Sequence, residues 1–115
     1  MTLNPKELRF VKANEIPWET VGDGLRRKVF TYDANLMMTM VAFEMGAVGS
    51  MHQHPHTQVS YVESGVFEIT IGEEVKVLHK GDAYYIPPNI LHGAVCREPG
   101  VLVDVFTPMR EDFIE

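Results

Sequence analysis

The chain has 115 residues, which is room for one domain with a single core and too little for two. Sixteen acidic residues against ten basic ones give a net charge of −6 with no basic run, which argues against nucleic acid or an anionic membrane as partner. The single cysteine, Cys96, excludes an internal disulfide and fits a reducing compartment.

The first residues carry charges and Pro5 where a signal peptide needs an apolar core. The longest apolar run, Leu36 to Phe43, falls well short of the ~20 residues that span a bilayer. The expectation is a cytoplasmic protein with no membrane partner.

In chain order, short apolar stretches alternate with turn residues roughly every 8–12 positions, the pattern of an all-β sandwich or barrel. The expected strands are Leu8–Lys12, Gly24–Tyr32, Leu36–Met45, Gln58–Glu63, Val66–Ile71, Glu74–His79, Ala83–Ile86, His92–Cys96 and Val101–Phe106. Gly, Pro, Asn or Asp stands in each expected connection, including Ser64-Gly65 and Glu98-Pro99-Gly100. No stretch keeps a period of 3.6, and the seven prolines would cut a long helix.

Two strands say more. In Val101–Phe106 the odd positions are all Val, so Leu102, Asp104 and Phe106 share the other face. One carboxylate therefore sits between two large hydrophobes. Leu36–Phe43 is apolar on both faces, so its outer face calls for cover by a tail or a second subunit, and a homodimer is expected.

The stretch His52-Gln53-His54-Pro55-His56-Thr57-Gln58 concentrates possible metal ligands. In an extended segment positions 52, 54, 56 and 58 project to one side, and two imidazoles spaced two residues apart can reach one ion. Imidazole suits Zn, Ni, Fe, Cu and Mn, and Gln adds a neutral oxygen. His92, beyond Gly81 and Pro87-Pro88, could close the site from another strand, whereas His79 falls in a polar hairpin strand. His56 follows Pro55 and is expected at the rim rather than on the metal. The alternative is a His-rich surface loop.

These residues resemble the two motifs of the cupins: Gly46-x5-His52-x-His54-x3-Gln58-x6-Gly65 and Gly81-x5-Pro87-x-Asn89-x2-His92. Gln58 stands where Glu is usual, Asn89 where Gly is usual, and Cys96 where Asn often ends the second motif. The resemblance implies a double-stranded β-helix, a jelly-roll barrel with a metal in its mouth. It carries over His52, His54, Gln58 and His92 as ligands of one divalent transition metal ion, Ni, Zn, Mn or Fe.

A further likeness covers Gly22 to Phe113. Asp23-Gly24-Leu25-Arg26-Arg27, the histidine segment on to Val62, and the tail Asp104-Val105-Phe106-Thr107-Pro108-Met109-Arg110-Glu111-Asp112-Phe113 are similar to the KdgF pectin-degradation proteins. Residues 1–115 then form one cupin domain, with the barrel at about 22–107 and a tail at 108–115. The family opens 4,5-unsaturated monouronates, so the resemblance implies a sugar-acid substrate. It also implies catalytic roles for Asp104, Phe106 and Arg110: acid/base, pocket wall and carboxylate holder.

Each role has a plainer counterpart. Asp104 could be solvated at a strand edge, Phe106 could be simple core, and Arg110 could pair with Glu111 or Asp112. Tyr61, Tyr84 and Tyr85 are expected in barrel packing, with one hydroxyl able to reach the cavity. A cupin-type non-haem iron dioxygenase and a non-catalytic sugar-binding cupin are the alternative functions.

Overall fold

The computed structural model describes residues 9–114. Among them lie eight strands: β1 (Glu19–Gly22), β2 (Leu25–Tyr32), β3 (Met37–Phe43), β4 (Val48–His52), β5 (Thr57–Ile71), β6 (Glu74–His79), β7 (Ala83–Ile86) and β8 (His92–Thr107). The helical residues are two single 3-10 turns, Ala13–Glu15 and Glu111–Phe113. The all-β expectation holds.

The topology follows from two long strands. β5 and β8 run antiparallel along most of their length. The C-terminal half of β8 also pairs with β3 and the N-terminal half with β4. The two halves of β5 likewise take β7 and β6. Two sheets thus share one continuous central pair, and bending that pair folds them face to face as a jelly roll.

The bend explains a departure from the sequence reading. Ser64-Gly65 and Glu98-Pro99-Gly100 are not turns between strands. They are register shifts inside β5 and β8, between Val62 and Phe67 on the β5 side. The two backbones touch there. A Cβ on Gly65 would stand 2.6 Å from the Glu98 carbonyl oxygen, and φ at Gly65 is +82°. Gly100 is closed in by the Ser64 carbonyl in the same way. Gly65→Ala combines a backbone clash with left-handed strain, so it is expected to cost roughly 2–5 kcal/mol in a urea melt.

Three more expectations need correction. Arg9–Lys12 is not a strand, and Leu8, which begins that expected element, lies outside the described residues. β1 and β4 carry no strand signal in the sequence, because Glu19–Gly22 and Val48–His52 are mostly exposed and lack alternating apolar residues. Tyr61 and Tyr85 are about half exposed rather than packed in the barrel.

The registers align side chains in rows across four strands. Inside the barrel, Thr39, Asp104, Ser60 and Tyr84 form one row, and Met37, Phe106, Gln58 and Ile86 the next. Outside run Met38, Val105, Val59 and Tyr85, then Met40, Val103, Tyr61 and Ala83. The core beneath the polar inner row is Phe43, Val62, Phe67, Ile69, Cys96 and Leu102, with Phe43 edge-on to Phe67 at 5.0 Å.

Candidate active site and metal centre

β4 ends where β8 begins, and the register sets His52 opposite His92 with ring centroids 4.3 Å apart. The chain then leaves the sheet. Residues 53–56 form a bend rather than the extended segment expected from alternation, and pairing resumes at Thr57. The Asn89 N–H donates to the His54 carbonyl at 2.7 Å and pins this bend. The bend, not strand parity, turns His54 inward.

His52, His54 and His92 now offer ligand atoms within 4.8 Å of one another. Each ring places Nδ1 on a backbone carbonyl: Ser50 for His52 (2.8 Å), His56 for His54 (3.1 Å) and Ile90 for His92 (2.9 Å). In a neutral ring that hydrogen bond puts the proton on Nδ1 and leaves Nε2 a bare lone pair. Burial holds His54 below the ordinary histidine range and pushes His92 down to about 4, so both rings are neutral at pH 7.

The lone pairs need something between them. Nε2 of His92 is buried and has no hydrogen-bond partner. Nε2 of His54 lies 2.9 Å from Oε1 of Gln58, and in the neutral ring both atoms are acceptors. A divalent cation held by the three imidazoles, with the Gln58 oxygen beside them, would satisfy these atoms, and a donor set of imidazoles plus a neutral oxygen fits a transition ion. His56 is outside this cluster: its Nε2 bonds to the Met109 carbonyl at 3.1 Å and its own carbonyl holds His54.

Asp104, Leu102 and Phe106 all point inward and are buried, as the alternation of β8 predicts, while Val101, Val103 and Val105 are half-buried on the other face. The Ser60 hydroxyl donates to Asp104 Oδ1 at 2.5 Å, and Gln58 Nε2 approaches the same oxygen at 3.4 Å. Burial raises the Asp104 carboxyl above the usual range. The hydrogen bond from Ser60 and the field of Arg110 partly offset this.

Asp104 lines a cavity of about 160 Å³ together with His52, His92, Gln58, Phe106 and Arg110. Its floor reaches the apolar cluster through Phe43, Ile69 and Leu102. Phe106 stacks edge-on to His54 at 5.8 Å and to Phe113 at 5.7 Å, so it is both core and cavity wall.

Arg110 follows the cis Thr107–Pro108 bond and folds back over the barrel mouth, its guanidinium 5.2 Å from the Phe106 ring and 4.3 Å from Phe113. It also pairs with Asp112, Nε to Oδ1 at 3.0 Å and Nη2 to Oδ2 at 2.8 Å. That contact uses one edge of the guanidinium. Of its five N–H donors, those on the opposite edge remain for a second carboxylate. The two readings of Arg110 are therefore compatible.

Three further residues lie at or beside the cavity: Arg27 and Ser60, which stand in the KdgF-like segments without an assigned role, and Tyr84, one of the three tyrosines expected in barrel packing. Arg27 reaches the cavity from β2, held by Glu19 at 3.0 Å and stacked 3.8 Å from Phe113. Ser60 and Tyr84 sit beside Asp104 in the inner row. Parity would have found Ser60, since Gln58, Ser60 and Val62 share a face. Burial and the charge of Asp104 push the Tyr84 phenol up, so it stays protonated.

Comparison with known proteins agrees with this architecture. A cupin-domain family matches residues 39–106. Over 108 residues the chain is 45% identical to the pectin degradation protein KdgF of Dickeya dadantii, covering 92% of this chain and 98% of that one. Among solved structures, KdgF from a Halomonas species superposes with a TM-score of 0.88 at 40% identity, covering 90% of this chain and 96% of that one. An RmlC-like cupin from Shewanella frigidimarina gives 0.89 at 41%, covering 91% and 95%. The chain belongs to the cupin family, within its KdgF-type pectin-degradation group.

Proposed function

We propose that the chain converts 4,5-unsaturated monouronates, the end products of pectin or alginate lyases, to the linear keto form. The observation that carries this reading is a buried carboxylate, Asp104, in one cavity with His52, His92 and the Arg110 guanidinium, where His54 converges on the same two imidazoles. Likeness to a pectin-degradation protein over nearly the whole chain supports the substrate class.

His52, His54, His92 and Gln58 would hold the metal, which supplies Lewis-acid polarisation when bound. The remaining steps belong to the chain. The substrate is a cyclic enol ether bearing a carboxylate. Its ring opens when C4 takes a proton and C5 takes the oxygen of water, after which the C5–ring-oxygen bond breaks to leave a ketone. The hydrate left at C1 loses water, so the conversion is a net isomerisation.

Asp104, with its carboxyl raised by burial, delivers the proton to C4 and recovers one from the attacking water. Both protein contacts fall on Oδ1, which leaves Oδ2 for the cavity. Arg110 receives the carboxylate on its free edge, oriented by Asp112, and Phe106 keeps bulk water from the ring. Arg110→Lys keeps the charge and loses the fork, so KM should rise roughly tenfold with a smaller change in kcat, as steady-state kinetics would show. The function itself is tested by mixing the protein with a lyase-generated monouronate and following the absorbance of its conjugated double bond. Consumption of oxygen in that assay would favour a dioxygenase instead.

The working form is a homodimer joined through the outer rows of the barrel. Met38, Val59, Tyr61 and Tyr85 are 38–56% exposed there, side by side with Val103 and Val105. A continuous apolar sheet face of this kind asks for cover. Light scattering should give twice the chain mass, and Val59→Glu with Tyr61→Glu should give the monomer.

A further inference from the structure

Gln58 has an amide, and an amide has two unlike ends. With Oε1 toward His54 Nε2 the site presents a fourth acceptor to a cation. With the ends exchanged, an amide N–H would donate to His54 Nε2. That would be an ordinary hydrogen bond, good enough to satisfy the ring and close the site to a metal. Nothing in the histidine cluster itself favours the open orientation.

The choice is made on the far side. Gln58 Nε2 donates to Ser60 Oγ at 2.9 Å and toward Asp104 Oδ1 at 3.4 Å. Ser60 spends its own proton on Asp104 at 2.5 Å, so its oxygen faces Gln58 only as an acceptor. An exchanged amide would set Oε1 against two acceptors in a buried pocket, where Ser60 is 1% exposed and Gln58 5%. Tyr84 stands beside Ser60 in the row and closes that pocket from β7.

We propose that Ser60 is a positioning residue that fixes the Gln58 amide oxygen-first toward the histidines, and so keeps the metal site open. This rests on the metal reading above. The role is orientational, and outer hydrogen bonds that orient metal ligands typically change affinity about 10–100-fold.

The test is a competition titration of metal-stripped full-length protein with Zn²⁺ against a chromophoric chelator. Ser60→Ala, which removes one buried oxygen atom, is expected to weaken Zn²⁺ binding about 10–100-fold. In a Gln58→Glu background both ends of the side chain are oxygen, orientation no longer matters, and the same Ser60→Ala change should have little effect. A merely structural role for Ser60 would weaken binding equally in both backgrounds and overturn the proposal, as would unchanged affinity in Ser60→Ala.

The wild-type chain gives a check independent of any variant. In metal-free protein, nuclear Overhauser contacts from the Gln58 amide protons should reach Ser60 and not the His54 ring; contacts to His54 would refute the assignment. If wild-type protein binds no Zn²⁺ at all, it is the metal reading that fails.

Discussion

Asp104→Asn is expected to lower kcat on unsaturated monouronates by about 10²–10⁴, the usual contribution of a general acid–base group. The substitution keeps the shape and an oxygen for Ser60 and Gln58 to bond, so the three histidines and Gln58 are undisturbed. Metal content should match that of the unaltered protein. Size of effect and retention of metal together separate proton transfer from a structural role. The same substitution with unchanged turnover would leave the buried carboxylate without a function.

The second large effect concerns the metal. Purified protein is expected to carry about one transition ion per chain, the stoichiometry of a single site with three imidazole ligands. His52→Ala with His92→Ala removes the facing pair on β4 and β8, and elemental analysis should then find none. Acid competes with the metal because the ligands must be neutral. Burial lowers His54 and takes His92 to about 4, against an ordinary value of 6.5. These rings therefore stay neutral in the folded chain well below the pH at which a free histidine charges.

Metal loss is thus expected as pH falls from about 6 towards 4 rather than at the intrinsic histidine value. The metal-free fold follows the same direction. Depressed pKa values mean that the folded chain binds fewer protons than the unfolded one, so the stability these groups contribute is complete above pH 6.5 and is lost as pH drops through about 4.

What could be read from sequence follows the periodicities involved. Asp104 was legible because β8 keeps a strict two-residue alternation there, and valines on one face fix the direction of the other. The ligand types were legible as well, but the reason for their convergence was not. Strand parity places residues 52, 54, 56 and 58 on one side, whereas the structure breaks the strand after His52 and turns His54 inward through a bend held by Asn89. The same break is why His56 faces Met109.

The long strands β5 and β8 each look like two in the sequence because Gly65 and Pro99-Gly100 carry turn chemistry. Their small size serves a backbone crossing instead. Ser60 and Arg27 fall in the KdgF-like segments but carry no assigned role in the sequence, since their importance arises from neighbours on other strands. Arg110 shows a local pair and a long-range position at once, and sequence alone could offer these only as alternatives.

The measurement that bears most directly on the central claim is a proton NMR time course in D₂O with metal-loaded protein and a lyase-generated unsaturated monouronate. Protonation of C4 by a group fixed on one wall of the cavity predicts rapid formation of the linear keto acid, with deuterium entering one of the two C4 positions. It also predicts that metal-stripped protein and Asp104→Asn fall back towards the uncatalysed rate. Conversion no faster than in buffer, or deuterium spread equally over both C4 positions from the earliest spectra, would contradict it.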